Sequence, residues 1–270
     1  MSLKQRMLPT ARVLARIGCC SIGTIYVLIG VWAMLALLRV AGPAADEQRI
    51  LQRLSDFPLG AELIVLLALG TLAYILWLIF DAVFDPYKFG SGLKGLGERI
   101  GIGLSTLTYG KIAWSAVRVL VGSGGHGEQE RQRVAWQVLE WPGGRWLVGV
   151  AGAAVAIVGL FQIKYVYEGE HHRWIELRRV SRFARVTVDC LAWAGYGARC
   201  AILLVLGWFL LHAAWSIDAN DVGDTDSAFD FLGLGGSVLG HALFSVVALG
   251  TICYGLFMYV NGLRFKAERR

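Results

Sequence analysis

Six apolar segments, at roughly 17–38, 59–80, 100–121, 144–166, 195–216 and 237–260, constrain this chain more than any other feature of its sequence. Each approaches the ~20 residues that an α-helix needs to cross about 30 Å of hydrocarbon at 1.5 Å per residue. Hydrocarbon offers no partner for a backbone N–H or C=O, so only helices and closed barrels span it. The runs lack the two-residue alternation of barrel strands. The expected fold is therefore all-α: a polytopic membrane protein with six transmembrane helices. Composition agrees. Only 17% of the 270 residues are charged and 56% are hydrophobic, against about 25% charged in a soluble domain. Glycine (34) far outnumbers proline (5), which suits helices packed closely through small residues.

Loop charges set the expected orientation. Lys4, Arg6, Arg12 and Arg16 precede the first segment; Lys88, Lys94 and Arg99 precede the third. Lys164, Arg173, Arg178, Arg179, Arg182 and Arg185 lie between the fourth and fifth, and Arg264, Lys266, Arg269 and Arg270 follow the sixth. The fifth connection instead carries Asp218, Asp221, Asp224, Asp226 and Asp230. By the positive-inside rule both termini are expected in the cytoplasm. The first segment resembles a signal peptide in its basic start and in Ala41-Gly42-Pro43-Ala44-Ala45. Its apolar run exceeds the 7–15 residues of a signal core, so it is read as a retained span.

The chain repeats itself three times. Arg16-Ile17-Gly18 recurs as Arg99-Ile100-Gly101, and Tyr26 falls on Tyr109 at the same offset. Gly18 and Gly30 recur as Gly195 and Gly207; Ala113 stands at the second position in the middle copy. In the second helices Phe57-Pro58-x-Gly60 recurs as Trp141-Pro142-x-Gly144, and Ala68-Leu69-Gly70-Thr71-x-x-Tyr74 as Ala248-Leu249-Gly250-Thr251-x-x-Tyr254. Trp77, Phe161 and Phe257 follow in register. Registered matches in both helices of a hairpin indicate three tandem units, 1–90, 91–180 and 181–270, forming one membrane domain. Because each unit crosses twice, the copies are parallel and are expected around a pseudo-threefold axis along the membrane normal, unlike inverted transporter repeats.

The Gly-Tyr-x-Ala-Arg stretch at Gly195–Arg199, the glycine twelve residues after its first Gly, the Pro-x-Gly opening and the Ala-Leu-Gly-x-x-x-Tyr run resemble the bacterial "domain of unknown function 1206" family. The resemblance covers nearly the whole chain and implies a bacterial inner-membrane protein; it carries no activity. The first copy departs with Cys19-Cys20-Ser21-Ile22 where the family favours Tyr and Arg, and the second has Ile102 and Ser105 there. Only the third copy retains the arginine, Arg199.

Polar groups within the spans are the candidate functional residues, since a charge at the bilayer centre costs at least ~2.5–3.5 kcal/mol. In the third segment Gly101, Ser105, Thr108, Lys111, Ser115 and Arg118 follow helical spacing and share one face. Lys111 lies about 16 Å deep at 1.5 Å per residue, too far for easy snorkelling. The stripe is expected to face the bundle interior as a polar binding site, or simply to be the buried part of the middle copy. Glu62, Arg118, Arg145, His212 and His241 share one depth near the opposite end of their spans. Glu62 and Arg118 could pair, and His212 with His241 could meet as a metal or pH-sensing pair, the bland alternative being residues that reach the headgroups. Arg199, about four residues into its span, is expected to snorkel as a lipid-facing anchor.

Other features carry less. Cys19, Cys20, Cys190, Cys200 and Cys253 form no metal or haem spacing and are expected to be free packing residues. The Asp218–Asp226 segment lacks calcium-loop spacing and reads as solvated. The basic segment Tyr165–Asp189, with His171-His172-Arg173-Trp174, reads as an amphipathic stretch on anionic lipid head groups. No nucleotide, metalloprotease or hydrolase motif is present, so neither an enzyme nor a cofactor nor a nucleic-acid partner is expected. The leading expectation is a protein that binds or passes a small solute or lipid of unspecified identity. A non-catalytic scaffold is the alternative, and an intramembrane redox, metal or haem protein the third reading.

Overall fold

The computed structural model describes the chain apart from residues 1–2, 39–46, 85–92, 123–126, 174–180, 219, 221, 224, 234–236 and 265–270. Among the described residues it is helical throughout, with no strand. The long helices are α1 (Leu3–Leu37), α3 (Gly60–Phe84), α4 (Leu93–Leu120), α6 (Gly144–Tyr167), α7 (Arg182–Ser216) and α9 (Val238–Leu263). Five of them, all but α4, are long and apolar enough to cross a membrane. The chain is a multi-pass membrane protein whose outer surface contacts the lipid bilayer. α1 and α7 run to 35 residues, about 52 Å at 1.5 Å per residue, so their ends extend beyond the hydrocarbon.

Three shorter helices occupy segments that hydropathy leaves as loops: α2 (Glu47–Ser55), α5 (Gly127–Leu139) and α8 (Thr225–Leu232). Each joins the two long helices of one repeat: α5 packs on α6 and α8 on both α7 and α9, whereas α2 packs on α1 and α3 and most extensively on α4 of the next repeat. Ile50, Leu51, Leu139 and Phe229 are buried beneath them, and Phe229 lies 5.1 Å from Phe244. Beyond the Asp218–Asp226 segment read as solvated, two fully buried residues, Ala228 and Phe229, seat α8 on the core. Likewise Arg182–Asp189, expected as interfacial loop, is the first part of α7, capped by the Ser181 side chain on the Ala184 N–H. Lys88, Trp174, Arg178, Arg179, Asp221, Asp224, Lys266, Arg269, Arg270 and Ala41–Ala45 lie outside the described residues.

The Pro-x-Gly motif is a turn that starts the second helix. Gly60 N–H donates to Phe57 C=O at 2.9 Å and Gly144 N–H to Trp141 C=O at 2.8 Å. The middle residue is left-handed in both copies, Leu59 at φ 64° and Gly143 at φ 85°. A Cβ on Gly60 or Gly144 would run into the carbonyl of Leu54 or Val138, so only glycine closes the turn. The third copy uses a different start: Ser237 Oγ accepts from Gly240 N–H at 3.0 Å, an N-cap. Gly143→Ala meets no neighbour and is expected to cost about 1 kcal/mol through its left-handed backbone alone. Leu59→Gly should not destabilise. Thermal unfolding in detergent checks both.

Long helices pack in the order α4, α3, α1, α9, α7, α6. The α1–α3 and α7–α9 crossings are built alike. A Cβ on Gly18 would meet Tyr74 Cα at 2.6 Å, and one on Gly195 would meet Tyr254 Cα at 2.6 Å. Gly70 faces Ser21, as Gly250 faces Ala198. In the middle copy, the register of Pro58 on Pro142 places Ala154 and Val158 where α3 has Gly70 and Tyr74. There α4 and α6 share no extensive backbone contact among the described residues: α4 packs on α3, and α6 on α7.

Candidate functional site

Gly195 and Arg199 are one turn apart on α7 and share a face. The glycine lets α7 touch the Tyr254 backbone, and that approach carries Arg199 onto the Tyr254 ring. The Arg199 guanidinium carbon stands 4.4 Å from the Tyr254 ring centre and 5.2 Å from that of Tyr26. Its side chain also hydrogen-bonds that of Tyr109. Arg199 is therefore not the lipid-facing anchor that its depth suggested. Rotation of α7 against α9 turns it inward, and the tyrosine faces offer the cation an attraction worth about 2 kcal/mol or more once desolvated.

The rings extend this cluster. Tyr26 and Tyr254 meet edge to face at 4.8 Å, and Tyr74 and Tyr109 at 5.0 Å. Tyr196 lies 5.3 Å from Tyr254 and 5.2 Å from Tyr165, to which it is also hydrogen-bonded. Each of the six long helices thus contributes one tyrosine: Tyr26, Tyr74, Tyr109, Tyr165, Tyr196 and Tyr254. Edge-to-face pairs are favourable beyond their burial, so the three tyrosines at the cation, Tyr26, Tyr109 and Tyr254, are held in place by each other and by Tyr74 and Tyr196. Sequence reasoning used Tyr26/Tyr109 and Tyr74/Tyr254 as markers of the repeat and passed over them as a site. Their recurrence at matched depths in two copies was the available signal.

The stripe on α4 is divided. Ser115 is buried, Ser105 and Arg118 are half-buried, and Thr108 and Lys111 are exposed. Lys111 therefore does not point into the packed interior, because α4 turns Tyr109, Ile112, Ala113 and Ala116 inward instead. At the offset of 83 that aligns Gly18 with Gly101, Thr108 and Lys111 correspond to Ile25 and Leu28. They lie on the flank of α4 that corresponds to the Gly18–Ser21–Ile25 flank of α1, which packs against α3. On α6 the positions that match Leu67, Gly70 and Trp77 of α3, namely Ala151, Ala154 and Phe161, are exposed as well, and Val158 is half-buried. Polar residues thus occupy the face where the middle copy lacks its partner helix.

The remaining candidates are not brought together. Glu62 is exposed on α3, and Arg118 is half-buried on α4. Arg145 stacks over Trp146 at 5.2 Å. His212 and His241 are both exposed, His212 beside the Trp208 ring at 5.9 Å. The five cysteines are free, with Cys19 and Cys200 buried.

A family model described as Domain of Unknown Function (DUF1206) matches the chain three times, at residues 17–85, 100–167 and 194–264. Those intervals coincide with the helix pairs α1/α3, α4/α6 and α7/α9. The uncharacterised protein YxxB of Bacillus subtilis is 30% identical over 261 residues, covering 97% of this chain and 94% of that protein. No solved structure matches.

Proposed function

The chain belongs to the DUF1206 family, and we propose that it binds a small anionic amphiphile, a lipid or lipid-like acid, at Arg199 among its tyrosines. One observation carries the reading. Arg199 is drawn into the helix assembly, and its partners among the described residues are tyrosines, not a carboxylate. A cation removed from water is costly unless it is paired. Phenol rings and hydroxyls meet part of that requirement; an anionic head group would complete it.

The proposal includes the architecture around the site. α4 is read as a sixth span, closing three hairpins about a pseudo-threefold axis normal to the membrane. The packing order α4–α3–α1–α9–α7–α6 and the matched glycine–tyrosine crossings of the first and third hairpins support it. Where α4 and α6 stand apart, a lateral opening faces the bilayer, with Thr108 and Lys111 on its wall. Lys111 there recruits the anionic head group, its cost in the membrane reduced by the polar lining. The termini are placed in the cytoplasm of a bacterial inner membrane by their Lys and Arg content. The activity is binding or passage of the ligand, not catalysis.

Purified protein in nanodiscs, analysed by native mass spectrometry for retained phosphatidylglycerol against phosphatidylcholine, tests this. Arg199→Gln is expected to weaken retention of the anionic lipid by about tenfold, equivalent to ~1.4 kcal/mol. Lys111→Leu should weaken it less while leaving insertion and thermal stability unchanged. Equal retention by wild type and Arg199→Gln would sink the proposal and favour a scaffold whose exposed α6 face meets another protein.

A further inference from the structure

The turn between α6 and α7 holds a cluster that depth and hydropathy do not reveal. α6 ends at Tyr167, and Gly169 at φ 68° reverses the chain. A single 3₁₀ turn, Glu170–Arg173, follows. It presents His171 and His172 to Asp189, seven residues into α7. The Nε2 atoms of both histidines reach the same carboxylate oxygen, Asp189 Oδ1, at 3.1 Å and 2.5 Å. The three donor atoms lie within 4.8 Å of one another. His171 is 2% exposed, whereas the side chains of His172 and Asp189 stay partly open, at 38% and 34%.

We propose that His171, His172 and Asp189 form a binding site for a divalent transition-metal ion of the zinc class. Two imidazoles and one carboxylate are the donor set such ions favour. Donors each about 2 Å from a tetrahedral ion lie about 3.3 Å apart. Here Asp189 Oδ1 stands 3.1 Å and 2.5 Å from the two imidazole nitrogens and all three atoms fall within 4.8 Å, so small side-chain shifts would seat an ion. One carboxylate oxygen serves two imidazoles whose ring centres are 4.1 Å apart; a hydrogen-bonded triad without metal is the alternative that the experiment below decides. The open side at His172 gives the ion a path in and leaves a coordination position for water, as in three-ligand zinc sites.

Binding here would tie the α6–α7 turn to α7. It would also touch the aromatic cluster, since the His171 ring lies 6.2 Å from Phe257, which is 5.7 Å from Tyr196. The site stands apart from Arg199, and its test does not depend on lipid binding.

Full-length protein carrying a tag without histidine would be stripped with chelator and dialysed against Zn²⁺. Metal content by mass spectrometry and the d–d spectrum of Co²⁺-loaded protein give two readouts. Wild type should hold about one equivalent with a tetrahedral Co²⁺ spectrum. Asp189→Asn and His171→Asn should lose it, and His172→Asn, at a partly open position where misfolding is not expected, should weaken binding at least about tenfold. His212→Ala/His241→Ala should bind as wild type does. Wild type holding no more zinc than Asp189→Asn would overturn the proposal. So would zinc retained equally by His172→Asn, which would place the ion elsewhere.

Discussion

Gly255→Leu is expected to dismantle the contact between α1 and α9, whereas Gly110→Leu in α4 leaves the fold intact. A Cβ on Gly255 would stand 2.6 Å from Gly23 C=O, 2.7 Å from Val27 Cγ2 and 2.9 Å from Val27 N. Reciprocally, one on Gly23 would be 2.8 Å from Gly255 C=O. Two glycines facing each other bring the backbones together, and backbone cannot swing aside as a flexible side chain does. Overpacking a core typically costs about 1–3 kcal/mol and occasionally more; with two backbones opposed, the upper end or beyond is expected. Small residues matter doubly in lipid, where helix association rests on close packing and not on exclusion of water. A Cβ on Gly110 meets nothing within 4 Å. Thermal unfolding of the two variants in the same detergent gives the comparison. Equal stability would refute the proposed α1–α9 seam.

Tyr254→Ala is expected to be the most damaging single truncation near Arg199, and Tyr254→Phe nearly harmless. Tyr254 is 3% exposed. Its ring meets Tyr26, Tyr196 and the Arg199 guanidinium at once. Removing a buried aromatic costs about 3–5 kcal/mol, here with the loss of the face that holds the cation. Phenylalanine keeps that face. At Tyr109 the contribution runs through the side-chain hydrogen bond to Arg199, so Tyr109→Phe should be felt more than Tyr254→Phe. A lost hydrogen bond to a charged group is worth about 1.5–3 kcal/mol. Thermal shift of the three variants orders them. The reverse order of the two phenylalanine variants would mean that hydroxyls, not ring faces, organise the site.

Much of the fold was legible in the sequence because it rests on local signals. All six apolar segments are helices, and Gly144–Tyr167 was placed to within a residue at both ends. The Pro-x-Gly turn was visible as a repeated motif, though its left-handed middle residue was not. α2, α5 and α8 escaped notice because they are short, sit among charged residues and gain their stability from Ile50, Leu139 and Phe229 packing under them. The α6–α7 turn was read by composition as a lipid-facing stretch. Its histidines belong instead to a cluster closed by Asp189, a partner 17 or 18 residues away.

The candidate site was far less legible, and Lys111 and Arg199 show why. Both are unusual charges for a membrane span, and depth along the helix alone suggests a role for each. Depth follows from sequence position; rotation about the helix axis does not. In a soluble helix an apolar stripe marks the inner face. In lipid the outer face is apolar too, so that signal fades and the close contacts of neighbouring helices set the rotation.

The three tandem units and their apolar helices were thus determined by sequence alone, since segment length, hydropathy and repeat register are properties of the chain read in order. Only the tertiary structure decided that Arg199 turns inward onto Tyr26, Tyr109 and Tyr254, that Lys111 is exposed on its flank of α4, and that α4 packs on α3 while α6 packs on α7. Those outcomes depend on where glycine permits one backbone to approach another, at Gly18 on Tyr74 and Gly195 on Tyr254, and on where Ala154 and Val158 replace that pairing.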